Sequence, residues 1–292
     1  MNKKSGGNLV GVHALVWAGD TSRESIEIAA KRSSEAGFDL LELSLHDLAN
    51  LDVPHARDVM KRHGLQVACS RGLAFDADVS SEDRVVVERG AKLLHDSLVA
   101  TAGLGARILT GALYSALGKY GRPVTERGRQ NAVAVLRSLA EEAQRLGVAL
   151  GLEVCNRYET NVVNTARQAI ALADDIGSDN VFIHLDAYHM NIEEDDFARP
   201  IRETGARLGY VHVGENHRGL LGSGHIDFAS LFHALADVRF KGPITFESFS
   251  STVVAQGLSN DLAIWRDLWT DGGGIASHAR AYIAAQLEAA VA

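Results

Sequence analysis

Only two cysteines, Cys69 and Cys155, occur in 292 residues. That is too few for a disulfide framework, and it makes a reduced cytoplasm the default setting. The four prolines are scattered, so no proline-rich linker divides the chain. Basic residues are outnumbered, 29 Lys and Arg against 37 Asp and Glu, for a formal charge of −8. No basic run offsets that balance, which argues against a nucleic-acid partner. No apolar stretch approaches the roughly 20 residues of a membrane span. The opening MNKKSGGNLVGVH has two lysines but no apolar run after them long enough for a signal peptide. Glycine-rich phosphate loops are missing too. The first candidate strand runs into WAGDTSRES, without the GxGxxG or Walker pattern expected of an open doubly wound sheet. The expectation is a cytoplasmic protein that binds neither nucleic acid nor membrane.

What the chain does have is alternation. Hydrophobic residues make up 46% and charged residues 23%, a balance that supports an ordinary globular core. Short aliphatic or β-branched runs recur at LVGVHAL (9–15), DLLELS (39–44), QVACS (66–70), ARILTG (106–111), VALGLEV (148–154), VFIHLD (181–186), YVHVGE (210–215) and PITFES (243–248). Helix-patterned stretches separate them, among them SRESIEIAAKRSSEAG, SEDRVVVERGAKLLHDSLVATAGLG and TARQAIALADDIG. Several helices end at a glycine placed for a left-handed cap: Gly37, Gly64, Gly105, Gly147 and Gly177. Near-continuous apolar strands belong in a parallel sheet covered on both faces. Eight strand–helix repeats in a chain of this length predict an α/β fold, a (β/α)8 TIM barrel forming one domain over residues 1–292. The segment after the last strand reads as two helices broken at Gly272–Gly274. The first is expected as the eighth barrel helix. The second is expected as an extra C-terminal helix that caps the barrel or meets another subunit.

Active sites of such barrels form at the C-terminal ends of the strands. Strand five ends in Glu153, strand six in Asp186, strand seven contains His212 and strand eight ends in Glu247. A carboxylate that closes an apolar run such as VALGLEV is costly unless a cation or hydrogen-bond donors compensate it. Closure of the barrel brings these four metal-competent side chains around one point. A lone His or Glu at a strand end is ordinarily a hydrogen-bonded or ion-paired residue; four on consecutive strands point to a metal. Three carboxylates and one imidazole suit Mn²⁺, Mg²⁺ or Co²⁺ better than a structural zinc, which favours thiolates. Around them Glu159, His189 and Arg218 suit an electron-dense ligand such as a sugar hydroxyl or carbonyl, with Glu159 available to pair the other two. His13 and Trp17, at the end of strand one, are candidates for a wall against a sugar ring or chain; Trp17 reads equally as a packing residue. Cys69 is expected to be an inert wall residue, since no His–Asp relay accompanies it.

The segments LEVCNRYETN, HLDAYHMNIEE, YVHVGENHRG with GSGHIDF, and FESFSS, together with GVHALVW and IWRDLW, resemble the ketose 3-epimerases. That group includes D-tagatose, D-allulose (psicose) and L-ribulose 3-epimerases, within the xylose-isomerase-like barrel superfamily. The resemblance covers essentially the whole chain. It implies metal ligands at Glu153, Asp186, His212 and Glu247, a catalytic pair at Glu153 and Glu247, and contacts to the substrate's carbonyl end at Glu159, His189 and Arg218. It also implies one divalent cation per subunit, Mn²⁺ ahead of Mg²⁺ or Co²⁺, a small-molecule ketose as substrate, and a homo-oligomer, dimer or tetramer. Two departures touch no ligand but bear on substrate preference. Asp186-Ala187-Tyr188-His189 stands where relatives often have Asp-Thr-Phe-His, and Glu247-Ser248-Phe249 stands where many have Glu-Pro-Phe.

The implied reaction interconverts C3 epimers of free ketoses through a cis-enediolate. The candidate pairs are D-fructose/D-allulose, L-ribulose/L-xylulose and D-tagatose/D-sorbose. Other readings draw on the same residues. An aldose–ketose isomerase or inosose-type dehydratase would use the same sort of site on the same barrel. A metal-dependent DNA-repair endonuclease would need more His ligands and a basic rim. A sugar-binding barrel without catalysis would not need two opposed glutamates.

Overall fold

Eight short parallel strands pair in sequence order and close β8 onto β1. They are β1 (Val10–His13), β2 (Leu40–Ser44), β3 (Gln66–Ser70), β4 (Ile108–Thr110), β5 (Ala149–Glu153), β6 (Val181–Asp186), β7 (Leu208–Val213) and β8 (Ile244–Phe246). The structure is a computed structural model and describes residues 7–254 and 256–292. Its fold is the expected TIM barrel. The helices are α1 (Arg23–Glu35), α2 (Val53–His63), α3 (Arg84–Gly103), α4 (Glu126–Leu146), α5 (Ala166–Ile176), α6 (Ala187–Glu193), α7 (Ala198–Thr204), α8 (Phe228–Asp237), α9 (Gln256–Asp261) and α10 (Gly272–Ala289). None of them is long and apolar enough to cross a membrane, among the described residues.

Local chemistry sets the ends of these elements. Ser22, Asp52, Asp83, Thr125, Thr165 and Asp227 each accept a backbone N–H in the first turn of the following helix, which satisfies donors the helix leaves unpaired. Gly64, Gly147 and Gly177 close α2, α4 and α5 in the left-handed conformation, as their position in the sequence predicts.

The strands are less uniformly apolar than the sequence pattern implies. Their outer faces join the helices in one large hydrophobic cluster, while alternate residues point into the barrel. At the N-terminal end the interior is apolar, with Leu40, Ala68 and Tyr210 packed against Leu9, Ile108 and Phe182. Higher up it turns polar: the Tyr210 hydroxyl lies 2.8 Å from Glu42 Oε2 and 2.7 Å from Thr245 Oγ1, and Thr110 Oγ1 lies 2.9 Å from His184 Nδ1. Gly11 and Gly151 face inward at this level, where an added Cβ would meet Thr245 Oγ1 at 2.5 Å and Thr110 Oγ1 at 2.3 Å.

Two helices follow the last strand, but their order is the reverse of the expected one. α10 packs on β1, β8 and α8 and so fills the eighth helical place. The shorter α9 lies in an excursion that reaches the barrel mouth, where Leu258 and Leu262 line the cleft. Gly272–Gly274 do not break a helix; they open α10, with Asp271 accepting from Gly273 N at 2.9 Å and Gly274 N at 3.0 Å. The close approach explains the first glycine, since a Cβ at Gly272 would stand 2.3 Å from the Val16 carbonyl oxygen.

Candidate metal centre and active site

The four strand-end residues converge. His212 Nδ1 lies 3.3 Å from Glu153 Oε1, 3.6 Å from Glu247 Oε1 and 3.8 Å from Asp186 Oδ2. One ligand atom from each of the four falls within 4.8 Å of the others. All four residues are buried. Backbone pairing holds them there. Asp186 and His212 are register partners on β6 and β7, while Glu153 N donates to Gly111 O and Glu247 N to Val213 O. Asp186 also caps α6: its Oδ1 accepts from Tyr188 N at 2.7 Å, which leaves Oδ2 to face the centre.

The chemistry of this set calls for a cation. His212 Nε2 is 2.7 Å from Glu42 Oε2 and so carries a proton, while Nδ1 is turned to three carboxylates. That Nδ1 is buried and has no hydrogen-bond partner, an arrangement costly in a low-dielectric interior. Burial opposes a charge on His212. Glu42 and Glu247, with the neighbouring carboxylates of Asp186 and Glu153, overcome that opposition and raise its pKa well above the ordinary imidazole value. Burial also raises the pKa of Glu153. For Asp186 burial pushes upward but Arg218 and His189 prevail, and the net shift is down. A group this rich in anions, with one orphaned imidazole nitrogen, fits a divalent ion with a preference for oxygen ligands.

Glu42 escaped the sequence reading, although DLLELS carries the same anomaly as VALGLEV, an acid within an apolar strand. It is fully buried and accepts from two donors below the centre, with a third polar group nearby. Tyr210 and His212 bond its Oε2, and His13 Nε2 stands 3.6 Å from its Oε1.

The surrounding residues are placed partly as expected. His189 Nδ1 accepts from Asn156 N at 3.1 Å and lies 2.8 Å from Asn156 Nδ2, so its proton sits on Nε2. Nε2 is 3.8 Å from Asp186 Oδ2 and 3.9 Å from Glu159 Oε2. Arg218 does not pair with Glu159. Its Nη1 donates to Glu247 Oε2 at 2.5 Å and to Asp186 Oδ2 at 3.3 Å, and its guanidinium lies over the Tyr188 ring at 3.8 Å. The cause is local: Arg218 adopts a left-handed backbone (φ 60°), and its carbonyl accepts from Ser248 Oγ. Ser248 Oγ in turn accepts from Trp269 Nε1 at 2.8 Å. Ser248 therefore braces the arginine through its hydroxyl.

Strand one contributes one wall residue rather than two. His13 lines the cleft, with its ring 5.9 Å from that of Phe249. Trp17 is a correction: it sits in the hydrophobic core with its ring against Gly272 and does not line the cleft. The chain turns into a 3-10 helix directly after His13 (Ala14–Val16), which carries Trp17 under α10. Cys69 is fully buried and its thiol is pushed up to about 12 by burial, in keeping with an inert role. The cleft above the centre holds about 610 Å³. Leu73, Phe75, Leu117, Leu258 and Leu262 give it an apolar side.

Comparison with known proteins agrees with this fold. Residues 30–269 match the xylose isomerase-like TIM barrel family. The chain is 47% identical to a ketose 3-epimerase of Arthrobacter globiformis, over 96% of this chain and 97% of that protein. The chain belongs to the ketose 3-epimerase family. It is accordingly an isomerase acting on carbohydrates, an epimerase. An L-ribulose 3-epimerase of Methylomonas sp. (strain DH-1) is 44% identical to it, over 94% of this chain and 96% of that one. The solved structure of a D-allulose 3-epimerase from Methylomonas sp. in complex with D-allulose matches the epimerase described here with a TM-score of 0.94. The two are 43% identical, over 96% of this chain and 97% of that chain. The ring of eight strands is thus shared with that structure at nearly full length.

Proposed function

We propose that this epimerase inverts C3 of free ketoses, with Glu153 and Glu247 as the two bases and with Glu153, Asp186, His212 and Glu247 as ligands of one divalent cation. The observation that supports this most is the convergence of two glutamates on one point. Glu153 Oε1 and Glu247 Oε1 lie 3.3 Å and 3.6 Å from His212 Nδ1, and they arrive from β5 and from the end of β8, three strands apart around the ring. A ketose held between them offers one face of C3 to each carboxylate. One glutamate removes the C3 proton and the other returns a proton to the opposite face; the reverse substrate exchanges their roles. When bound, the cation supplies Lewis-acid stabilisation of the charge that develops at O2 and O3. His189 presents Nε2–H, and Arg218 its guanidinium, to the carbonyl end of the sugar, where negative charge builds up.

The donor set of three carboxylates and one imidazole favours Mn²⁺, with Mg²⁺ and Co²⁺ as substitutes. D-fructose/D-allulose and L-ribulose/L-xylulose are the first pairs to examine, given the L-ribulose and D-allulose 3-epimerases among the relatives. The two buried free cysteines suit a reducing cytoplasm, and the reading carries with it a homo-oligomer.

Incubation with these ketoses in D₂O is the direct test. The expected product is the 3-epimer with deuterium at C3. An aldose, or deuterium at C1, would instead make the enzyme an aldose–ketose isomerase.

Glu42 supports the centre from behind in this reading. Replacing it with Gln removes the anionic acceptor of His212 Nε2–H and weakens the orientation of that imidazole. Metal affinity is expected to fall by about 10–100-fold, measured by titrating metal-free enzyme with Mn²⁺. A Glu42→Gln enzyme with unchanged Mn²⁺ affinity would show that the buried carboxylate serves the fold alone.

A further inference from the structure

Asn156 takes no part in the chemistry described above, yet every polar atom of its side chain is engaged beside the cleft. It stands three residues beyond the end of β5 and is 1% exposed. Its partners fix the orientation of the amide. Oδ1 accepts from Tyr158 N at 2.9 Å, which closes a tight turn, so Nδ2 is the atom turned inward. Nδ2 carries two hydrogens and meets two acceptors, Glu159 Oε1 at 2.9 Å and His189 Nδ1 at 2.8 Å. The side chain therefore joins two of the groups assigned to the carbonyl end of the sugar.

Backbone and amide divide the work. Asn156 N donates to His189 Nδ1 at 3.1 Å, and that bond by itself places the ring proton on Nε2. The backbone is pinned at the next residue, where Glu193 of α6 accepts from Arg157 N at 2.6 Å, Nε at 2.9 Å and Nη2 at 2.8 Å. Loop and helix are thus tied without help from the amide. What the amide adds is a donor to Glu159.

Glu159 Oε2 stands 3.9 Å from His189 Nε2, too far for a hydrogen bond. A carboxylate and an N–H so close would pair unless something held them apart. Arg218 is not that restraint, because Glu247 and Asp186 engage it. The bond from Asn156 Nδ2 to Oε1 is, and the backbone of Glu159 is fixed as well: its N donates to Asn156 O at 2.9 Å, and its O accepts from Gly118 N at 2.7 Å. Glu159 and His189 both line the cleft.

We propose that Asn156 is a positioning residue whose amide holds Glu159 off His189, keeping an acceptor and a donor side by side and unpaired for the sugar. The proposal rests on the epimerase reading above and adds to it a residue behind the cleft wall. Without the amide, Glu159 turns to His189 Nε2–H, and that pair has to be broken each time a ketose binds. The penalty belongs to the free enzyme, so it is expected in KM and not in kcat.

The test is the kinetics of D-fructose epimerisation by Mn²⁺-loaded Asn156→Ala. KM is expected to rise about 10–100-fold, the scale of one hydrogen bond to a charged group, while kcat stays within about threefold of wild type. The same substitution is then made in Glu159→Ala. There the restrained carboxylate is gone, so adding Asn156→Ala is expected to change KM by no more than about twofold. Effects that multiply independently overturn the proposal, as does a loss in Asn156→Ala that falls on kcat alone; either makes Asn156 a brace of the loop. Asn156→Asp serves if the Ala variant does not fold. It keeps the size and the acceptor for Tyr158 N, replaces the Nδ2 donor with an oxygen and repels Glu159. KM is expected to rise at least as far in the Asp variant, and a wild-type KM there overturns the proposal. Failure of the epimerase reading looks different, since the wild type would then give no 3-epimer from D-fructose.

Discussion

Glu247→Gln is expected to lower kcat for ketose epimerisation by about 10²–10⁴-fold, and Glu153→Gln by a similar factor. Each substitution keeps the volume of the side chain and removes its ability to take a proton. The surroundings can accept the change without collapse, because Glu247 N still donates to Val213 O and Glu153 N to Gly111 O. The two variants are expected to differ from each other in one respect. With Glu153 intact and Glu247 replaced, C3–H of only one epimer faces a base, so residual exchange with D₂O is confined to that epimer. The complementary variant exchanges the other. Metal content, measured on the same samples, separates loss of a base from loss of a ligand. A variant that retains full metal and interconverts both epimers at near wild-type rate would remove that glutamate from the chemistry. Arg218 complicates Glu247 in an instructive way. Its 2.5 Å bond to Oε2 loses its charge assistance in the Gln variant, so KM is expected to rise together with the fall in kcat.

Removal of the divalent cation is the second large effect. Chelation is expected to abolish turnover, and Mn²⁺ to restore it most effectively, with Mg²⁺ or Co²⁺ as substitutes. Stability gives an independent readout. A ligand at 100 times its Kd adds about 2.7 kcal/mol to the folded state, which for a chain of this size raises Tm by roughly 4 °C. The direction with pH follows from His212. Its pKa in the metal-free fold is raised, so its protonation stabilises that fold at low pH, and the contribution is lost as pH climbs through the raised value. Protons and metal compete for the same nitrogen. The metal-dependent increase in Tm is therefore expected to grow with rising pH. Scanning calorimetry of chelated and Mn²⁺-loaded protein across neutral pH checks this. An increment that shrinks toward alkaline pH would contradict it.

Some residues reveal their role locally and others do not. Glu153 was legible because a carboxylate at the end of VALGLEV is anomalous on its own terms, and Asp186, His212 and Glu247 because they recur at the same place on successive strands. Glu42 carries the same anomaly within DLLELS, yet it sits mid-strand, and its partner His212 lies 170 residues away. No pattern within a window of sequence connects them. Arg218 illustrates the opposite failure: its presence near the site was legible, but its partner was misassigned. Glu159, a carboxylate with no ligand role, is the available partner in the sequence, whereas the left-handed turn and the Ser248 hydroxyl deliver the guanidinium to Glu247 and Asp186. Trp17 and the last two helices went astray for a related reason. Their positions depend on how β8 closes against β1, which brings α10 over Val16 and Trp17 and leaves α9 at the mouth.

By itself the sequence determined the number of strands, the barrel and the four side chains at its centre. Periodicity and the cost of burying charge are properties of short segments, and they survive in a linear reading. Only the tertiary structure decided which donor meets which acceptor: Glu42 under His212 and Arg218 on Glu247. Such pairings are set by ring closure and by the angle of single side chains, and neither quantity is carried by any stretch of the chain alone.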